Sequence, residues 1–455
     1  MLRQERRRGP FVTRRTAGTA STTADAAAGG SEEGSLRIAL LAYRGDPYCG
    51  GQGVYVRHLS RELVKLGHSV EVLSGPPYAV VDEGVTLTEL PSLDLYGEPD
   101  PFTVPKKLSA YRDWIDVLEV GGMLTGGFPE PLTYSLRAAR FLKSRRGAYD
   151  VVHDNQTLGY GQLAIEKIGF PLVTTIHHPV TVDRALEIAE AKTPLQKLSK
   201  HRWYGFTTMQ KRVSARLREV VTVSGSSKAE IIEHLGVAPD RVHVVPIGAN
   251  TDLFNPSDTI AKVPGRIVTT SSADVPLKGL VYLVEAVAKL RTERPEVELV
   301  VVGRPKGGGP VMTAIENLGV RENIRFVSGI SDAELVDLIR SAEVACVPSL
   351  YEGFSLPAAE AMACGTALVA TTGGAVPEVA GPDGETCLAV PPGDAEALRA
   401  ALSRLLDDPE LRARLGAAGR ERVLAKFTWR AAAAQTVERY RAAIEDNKNR
   451  RRSVA

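Results

Sequence analysis

Short continuous apolar runs, each closed by a turn and followed by apolar residues at helical spacing, recur along most of the chain. Residues 36–42 form the first run and 45–53 a loop. Val54, Val56, Leu59, Leu63 and Leu66 then carry the spacing of a helix that stops at Gly67. Further strands are predicted at 69–73, 151–152, 172–176 and 219–223. Strands apolar throughout, alternating with amphipathic helices, imply a parallel sheet covered on both faces. A second alternation starts at Ile267, with strands at 267–270, 298–302, 324–327, 344–347 and 367–370 and helices at 279–290, 310–318, 332–341 and 357–363. Helices continue over 394–426, and a last one over 429–445 has Val437, Tyr440 and Ile444 on one side. The polar stretch after 243–256 reads as a hinge. The pattern predicts an α/β protein of two Rossmann-like domains, 35–250 and 251–427, rather than a tandem repeat.

The ends are different material. Residues 1–34 hold six arginines before position 16, followed by Ala, Thr, Gly and Ser, with no apolar core after the arginines. That composition predicts a disordered basic segment and not a secretory signal. Residues 447–455 carry Arg450, Arg451 and Arg452 and read as a loose basic tail. The formal net charge of +2 favours no charged partner, and no motif points to nucleic acid. No apolar run is long enough for a membrane span. The four cysteines, Cys49, Cys346, Cys364 and Cys387, lack paired or metal-binding spacing, which suits a reduced, cytoplasmic chain.

The chemistry concentrates at 351–366. Glu352 and Glu360 are separated by seven residues, with Gly353, Phe354, Ser355, Leu356 and Pro357 directly after the first. Gly353 is expected to allow a tight turn. Pro357 suits a first helical turn, and Gly365 a helix end. Amides of Gly353 to Leu356 then lie at a helix N-terminus, where phosphate oxygens bind. Two glutamates alone could be solvated helix-end carboxylates, stabilised by the dipole. Flanking a phosphate-sized site, they suggest a ligand with hydroxyls at both ends.

The string Glu-Gly-Phe-Ser-Leu-Pro-Ala-Ala-Glu-Ala-Met-Ala-Cys-Gly from Glu352 resembles the signature of the retaining glycosyltransferases of family 4, and the likeness covers roughly residues 36–445. It implies GT-B architecture: two facing Rossmann-like domains with parallel sheets, a cleft between them and a final helix (428–446) crossing back to the N-terminal, acceptor-binding domain. By that resemblance Glu360 holds the donor ribose, Glu352 faces the hexose, and Gly353 to Leu356 with Lys278 hold the diphosphate. Residues 326–329 would lie beside the base.

Glycines at 50–53, Gly51 and Gly53 among them, let backbone approach a pyrophosphate. A nicotinamide site would require an acid ending the second strand, which finishes Val72-Leu-Ser-Gly75 instead. Lys278 follows the first strand of the second half, where an ammonium stabilises a departing diphosphate; the bland reading is a solvated helix-start lysine. The family pattern places an arginine where Ala273 stands, and Arg304, after the next strand, is the candidate replacement. His177 ends a first-half strand and aligns with the family histidine facing donor sugar and acceptor. No Asp-x-Asp occurs, which fits a reaction without metal or other cofactor. The basic, aromatic stretch 197–218 suggests either an ordinary surface helix or peripheral contact with the inner face of a membrane.

The expected function is therefore retaining, metal-independent transfer of a hexosyl or N-acetylhexosaminyl group from a UDP- or GDP-sugar to an acceptor hydroxyl of a glycan, lipid or small molecule. His177, Lys278 and Glu352 are the catalytic candidates. Gly51, Gly53, Lys278, Arg304, Gly353, Phe354, Ser355, Leu356 and Glu360 are those for donor binding. A nucleotide-sugar 2-epimerase and a non-catalytic nucleotide-sugar-binding protein are the alternatives.

Overall fold

The computed structural model describes residues 13–14, 34–45, 51–97, 101–105, 107–271, 275–305 and 307–454. They form two compact units. The first holds residues through Thr222, then Glu230–His243, and the chain from Ala433 onward; the second holds Val223–Ala229 and Val244–Ala432.

The sheet of the first unit is built from β1 (Thr13–Arg14), β2 (Arg37–Ala42), β3 (Ser69–Ser74), β4 (Thr86–Glu89), β5 (Val151–Asn155), β6 (Leu172–Thr175), β7 (Val220–Thr222) and β8 (Val242–Val244). Their spatial order is β1-β4-β3-β2-β5-β6-β7-β8, with β2 through β7 parallel. The second unit holds β9 (Val263–Thr270), β10 (Glu298–Val302), β11 (Ile324–Val327), β12 (Ala342–Val347), β13 (Ala367–Thr371) and β14 (Leu388–Val390). They run parallel in the order β11-β10-β9-β12-β13-β14. Each sheet buries its own apolar core. The first includes Leu41, Val152, Leu172 and Val220; the second includes Ile267, Leu299, Val301, Val344 and Val369.

In each sheet the strand order reverses at one place, between β2 and β5 in the first and between β9 and β12 in the second. Connections leave such a point in opposite directions and open a crevice at the carboxyl ends of the strands. Loops after those four strands are where ligand-binding residues belong.

Several expectations need correction. The helix begun at Val54 in the sequence reading starts at Gly51, so Gly51 and Gly53 lie in its first turn rather than in a loop. Cys49 and Gly50 lie outside the described residues. First-turn amides lack intrahelical partners, so glycine is tolerated there. The supposed loose tail is helical: the last helix runs Trp429–Val454. Asn447 Nδ2 donates to Gly169 O at 3.0 Å and Arg451 also bonds that carbonyl, which holds the polar end of the helix in place. Deeper in the same helix, the buried Tyr440 hydroxyl meets His153 Nδ1 at 2.7 Å. The chain passes from the first unit to the second after His243, within β8, ahead of the predicted 250. Apart from β1, which pairs antiparallel with Leu87 and Thr88, residues 1–33 lie outside the described part.

The stretch 197–218 divides in two. The helix Pro194–Trp203 buries none of its side chains, whereas Phe206–Ser214 buries Met209 and Val213. Trp203 and Phe206 pack against Phe128, with ring centroids 5.3 and 5.5 Å away. No described helix is long and apolar enough to cross a membrane.

Candidate active site

In the second unit the loops on either side of the reversal meet. A single 3₁₀ turn, Pro276–Lys278, follows β9, and residues 348–355 follow β12. Leu277 O accepts the amide of Leu350 at 2.7 Å. Gly279 has φ 63°, and a Cβ there would lie 2.0 Å from Pro348 O, so only glycine permits this approach. The contact brings Lys278 Nζ to both oxygens of Glu352, at 2.8 and 2.9 Å. Ser349 Oγ adds a third donor to Oε1 at 2.7 Å. The Lys278 and Glu352 side chains are 29% and 11% exposed, so the ammonium stays reachable from solvent while the carboxylate is mostly enclosed.

Beyond Glu352 the backbone is held tightly. Ala375 N donates to Glu352 O at 2.9 Å, and Gly374, at φ 58°, leaves no room for a Cβ against that carbonyl. The helix Leu356–Ala363 then starts with proline in its first turn. The left-handed residue before it is Ser355 (φ 88°, ψ 71°). Ser355 is buried and its Oγ has no hydrogen-bond partner among the described residues, a combination of backbone strain and polar burial found where a ligand supplies the missing contact. Phe354 is buried edge-on against Phe427, which fixes the loop from below.

Glu360 lies one turn into this helix, half-buried. Burial, reinforced by the nearby negative charge of Asp332, pushes its carboxyl up to about 8. No described basic side chain is paired with it. Arg304 is exposed just past β10, and no ion pair is recorded for it. Ala273 lies outside the described residues, so the departure from the family pattern has no local geometry to report.

In the first unit, β6 delivers His177. Asn155 ends β5 and bridges two elements: its Nδ2 donates to Gln52 O at 3.3 Å, and its Oδ1 accepts from His177 Nε2 at 2.8 Å. Gln156, left-handed at φ 53°, accepts the His177 amide through Oε1 at 2.6 Å and donates to His178 O. The Tyr55 ring stands edge-on to the imidazole, with centroids 4.8 Å apart. Because Asn155 presents its oxygen, His177 carries its proton on Nε2, which leaves Nδ1 as an acceptor. Burial first, then the neighbouring His178, lowers the His177 pKa to about 3. The ring is therefore neutral and can accept a hydroxyl hydrogen. We expect its Cε1 proton resonance to stay constant from pH 5 to pH 8; an NMR titration with a midpoint near 6.5 would contradict this placement.

Sequence reasoning missed Asn155 and Gln156, because the strand before them was ended at 152. It also missed Ser349. Polar residues closing an apolar strand were the signal available. Among the described residues, no three His, Cys, Asp or Glu side chains are grouped to hold a metal ion.

Comparison with known proteins bears on the family and the fold. Residues 49–253 match the family model described as Glycosyltransferase Family 4, and residues 256–422 match that of Glycosyl transferases group 1. The chain is 54% identical over 410 residues to an "MMP alpha-(1->4)-mannosyltransferase" of Mycolicibacterium hassiacum, covering 90% of this chain and 98% of that one. It is 30% identical to a D-inositol 3-phosphate glycosyltransferase of Streptomyces scabiei over 91% of this chain and 93% of the other. Among solved structures, sucrose-phosphate synthase from Thermosynechococcus elongatus superposes with a TM-score of 0.69 at 25% identity, covering 90% of this chain and all of that one.

Proposed function

The chain belongs to the family 4 glycosyltransferases of the GT-B fold, and from that premise we propose that it transfers a mannosyl group, with retention, from a nucleoside diphosphate mannose to an acceptor hydroxyl. With glycosyltransferase activity shown by its relatives, the epimerase and the non-catalytic binding protein fall away. The sugar follows the relative that shares 54% of its residues over nearly its whole length. The observation that carries the chemistry is Lys278 bound to both oxygens of Glu352 at the reversal of the second sheet.

Breaking the bond between the anomeric carbon and phosphate oxygen leaves its electron pair on the diphosphate. Lys278, balanced by Glu352 in the free protein, turns its ammonium to that charge as it develops. The unpaired amides before the helix at Leu356, and the Ser355 hydroxyl, complete the phosphate contacts. Arg304 is the further cation for the outer phosphate. Glu352, released by Lys278, accepts hydrogen bonds from sugar hydroxyls, while Glu360 accepts those of the ribose. The acceptor oxygen bonds to the anomeric carbon on the face the phosphate leaves, and its proton passes to a phosphate oxygen. No enzyme nucleophile and no metal is required in this scheme. His177 Nδ1 accepts from a sugar hydroxyl.

A thermal-shift panel of GDP-, UDP- and ADP-sugars tests the donor. At ~100 times its dissociation constant, a ligand adds about 2.7 kcal/mol to stability, so a nucleoside diphosphate mannose should stand above its glucose counterpart. Release of the nucleoside diphosphate on adding acceptor should follow. A panel in which no mannose nucleotide stabilises the protein sinks the assignment.

A further inference from the structure

Val223–Ala229 belongs to the second unit although the chain on both sides of it belongs to the first. Four polar contacts attach this strap to the second unit. Ser224 Oγ donates to Gly353 O at 2.7 Å and Ser227 Oγ to the same oxygen at 3.2 Å. Glu378 accepts the amides of Gly225 and Ser226, one on each carboxylate oxygen, both at 2.8 Å. Arg422 in turn holds the carbonyl of Glu378 at 2.7 Å. Both serines are buried. Ser224 Oγ also accepts the Ser227 amide at 3.0 Å, so its own hydrogen is committed to Gly353.

The Gly353 carbonyl thus receives two hydroxyl donors, one for each lone pair. A trans peptide is planar, with its N–H opposite its C=O. Fixing the Gly353 carbonyl toward the strap therefore aims the Phe354 amide the other way. The preceding peptide is fixed as well, because Glu352 O accepts the Ala375 amide. Among the described residues, neither the Phe354 nor the Ser355 amide is recorded as donating to the chain.

We infer that Ser224 and Ser227 are positioning residues for the donor diphosphate: by holding the Gly353 carbonyl, they orient the amides of the Glu352 loop toward the phosphate oxygens. This rests on the donor reading above. The serines touch no substrate atom; they act through one peptide group, more than a hundred residues away in sequence.

The test uses the full chain with Ser224→Ala, Ser227→Ala and the double variant. Each is assayed for donor KM, acceptor KM, kcat and inhibition by the nucleoside diphosphate product. The double variant should raise the donor KM and the product inhibition constant together, by about tenfold. The acceptor KM should stay within about twofold, with the melting midpoint close to wild type. Ser224→Thr, which keeps the hydroxyl, should return the donor KM toward wild type. Unchanged donor KM and inhibition in the double variant, with wild type inhibited normally, overturns the positioning role and leaves the donor reading intact. Equal rises in donor and acceptor KM with a lowered melting midpoint also overturn it, as a purely structural effect. A wild-type protein that no nucleoside diphosphate inhibits overturns the donor reading and, with it, this inference.

Discussion

Lys278→Ala should lower kcat by about 10²–10³-fold, the loss found when one preorganised charge or donor is removed from a developing oxyanion. Two effects combine. The leaving diphosphate loses the cation nearest the carboxyl end of β9, a loss felt in the transition state more than in the bound donor. Glu352, only 11% exposed, is also left with Ser349 as its one recorded side-chain donor. An enclosed carboxylate without its counter-charge costs stability, and the partial exposure of Lys278 keeps that cost to about 1–2 kcal/mol. The two effects separate experimentally: the melting midpoint should fall modestly while kcat collapses. Lys278→Arg should recover stability better than turnover, because a planar fork does not replace a point charge on a flexible stem. A cycle with Glu352→Gln should be strongly non-additive, since the two side chains are bonded to each other. A Lys278→Ala enzyme with kcat within about threefold of wild type would remove the lysine from catalysis.

How far such a site can be read before folding depends on the range of its contacts. Strands 298–302 and 324–327 and helices 310–318 and 332–341 fall where the apolar pattern places them, because each is closed by a local signal such as the Ser331–Glu334 capping box. The Glu352–Glu360 string is local too. By contrast, β4, β8 and β14 are three or four residues long and exist through their neighbours in the sheet, so their pattern is too short to set them apart from loop. Residues 447–454 mix lysine and arginine, good helix formers, with asparagine and serine, which are poorer ones, and a packing partner at Gly169 decides their state. Lys278 and Glu352 were both legible as candidates, but not as partners, since a reversal of strand order joins them across 74 residues. The strap at Val223–Ala229 is the extreme case. Its serines look like ordinary helix-start residues until the fold places the Gly353 carbonyl against them.

Donor affinity should rise with pH between 6 and 8, and Glu360 is the reason. Its carboxyl, raised to about 8 by burial and Asp332, is neutral at pH 6 in the free protein. Ribose hydroxyls donate most strongly to an ionised carboxylate, so donor binding at pH 6 must expel a proton. Affinity therefore climbs by up to about tenfold per pH unit and levels off above about pH 8, once the group is already ionised. The diphosphate of a nucleotide sugar has no proton titrating in that window. Glu360→Gln should bind the donor with little pH dependence, about 10–100-fold more weakly than wild type at pH 8.5 and nearly equally at pH 6. Stability of the free protein runs the other way. An acid whose folded pKa lies above its unfolded value holds more protons when folded, so its contribution fades as pH rises from the ordinary glutamate range through about 8. Glu360→Gln escapes that loss, and its melting midpoint should gain on wild type from pH 6 to about pH 8 and level off above it. Calorimetric titration with the donor across the range decides the role: affinity that falls from pH 6 to pH 8 would mean Glu360 meets the ligand as a neutral acid donating its own proton. The same side chain thus weakens the empty fold at alkaline pH and strengthens the liganded one, as expected of a residue placed for a ligand rather than for stability.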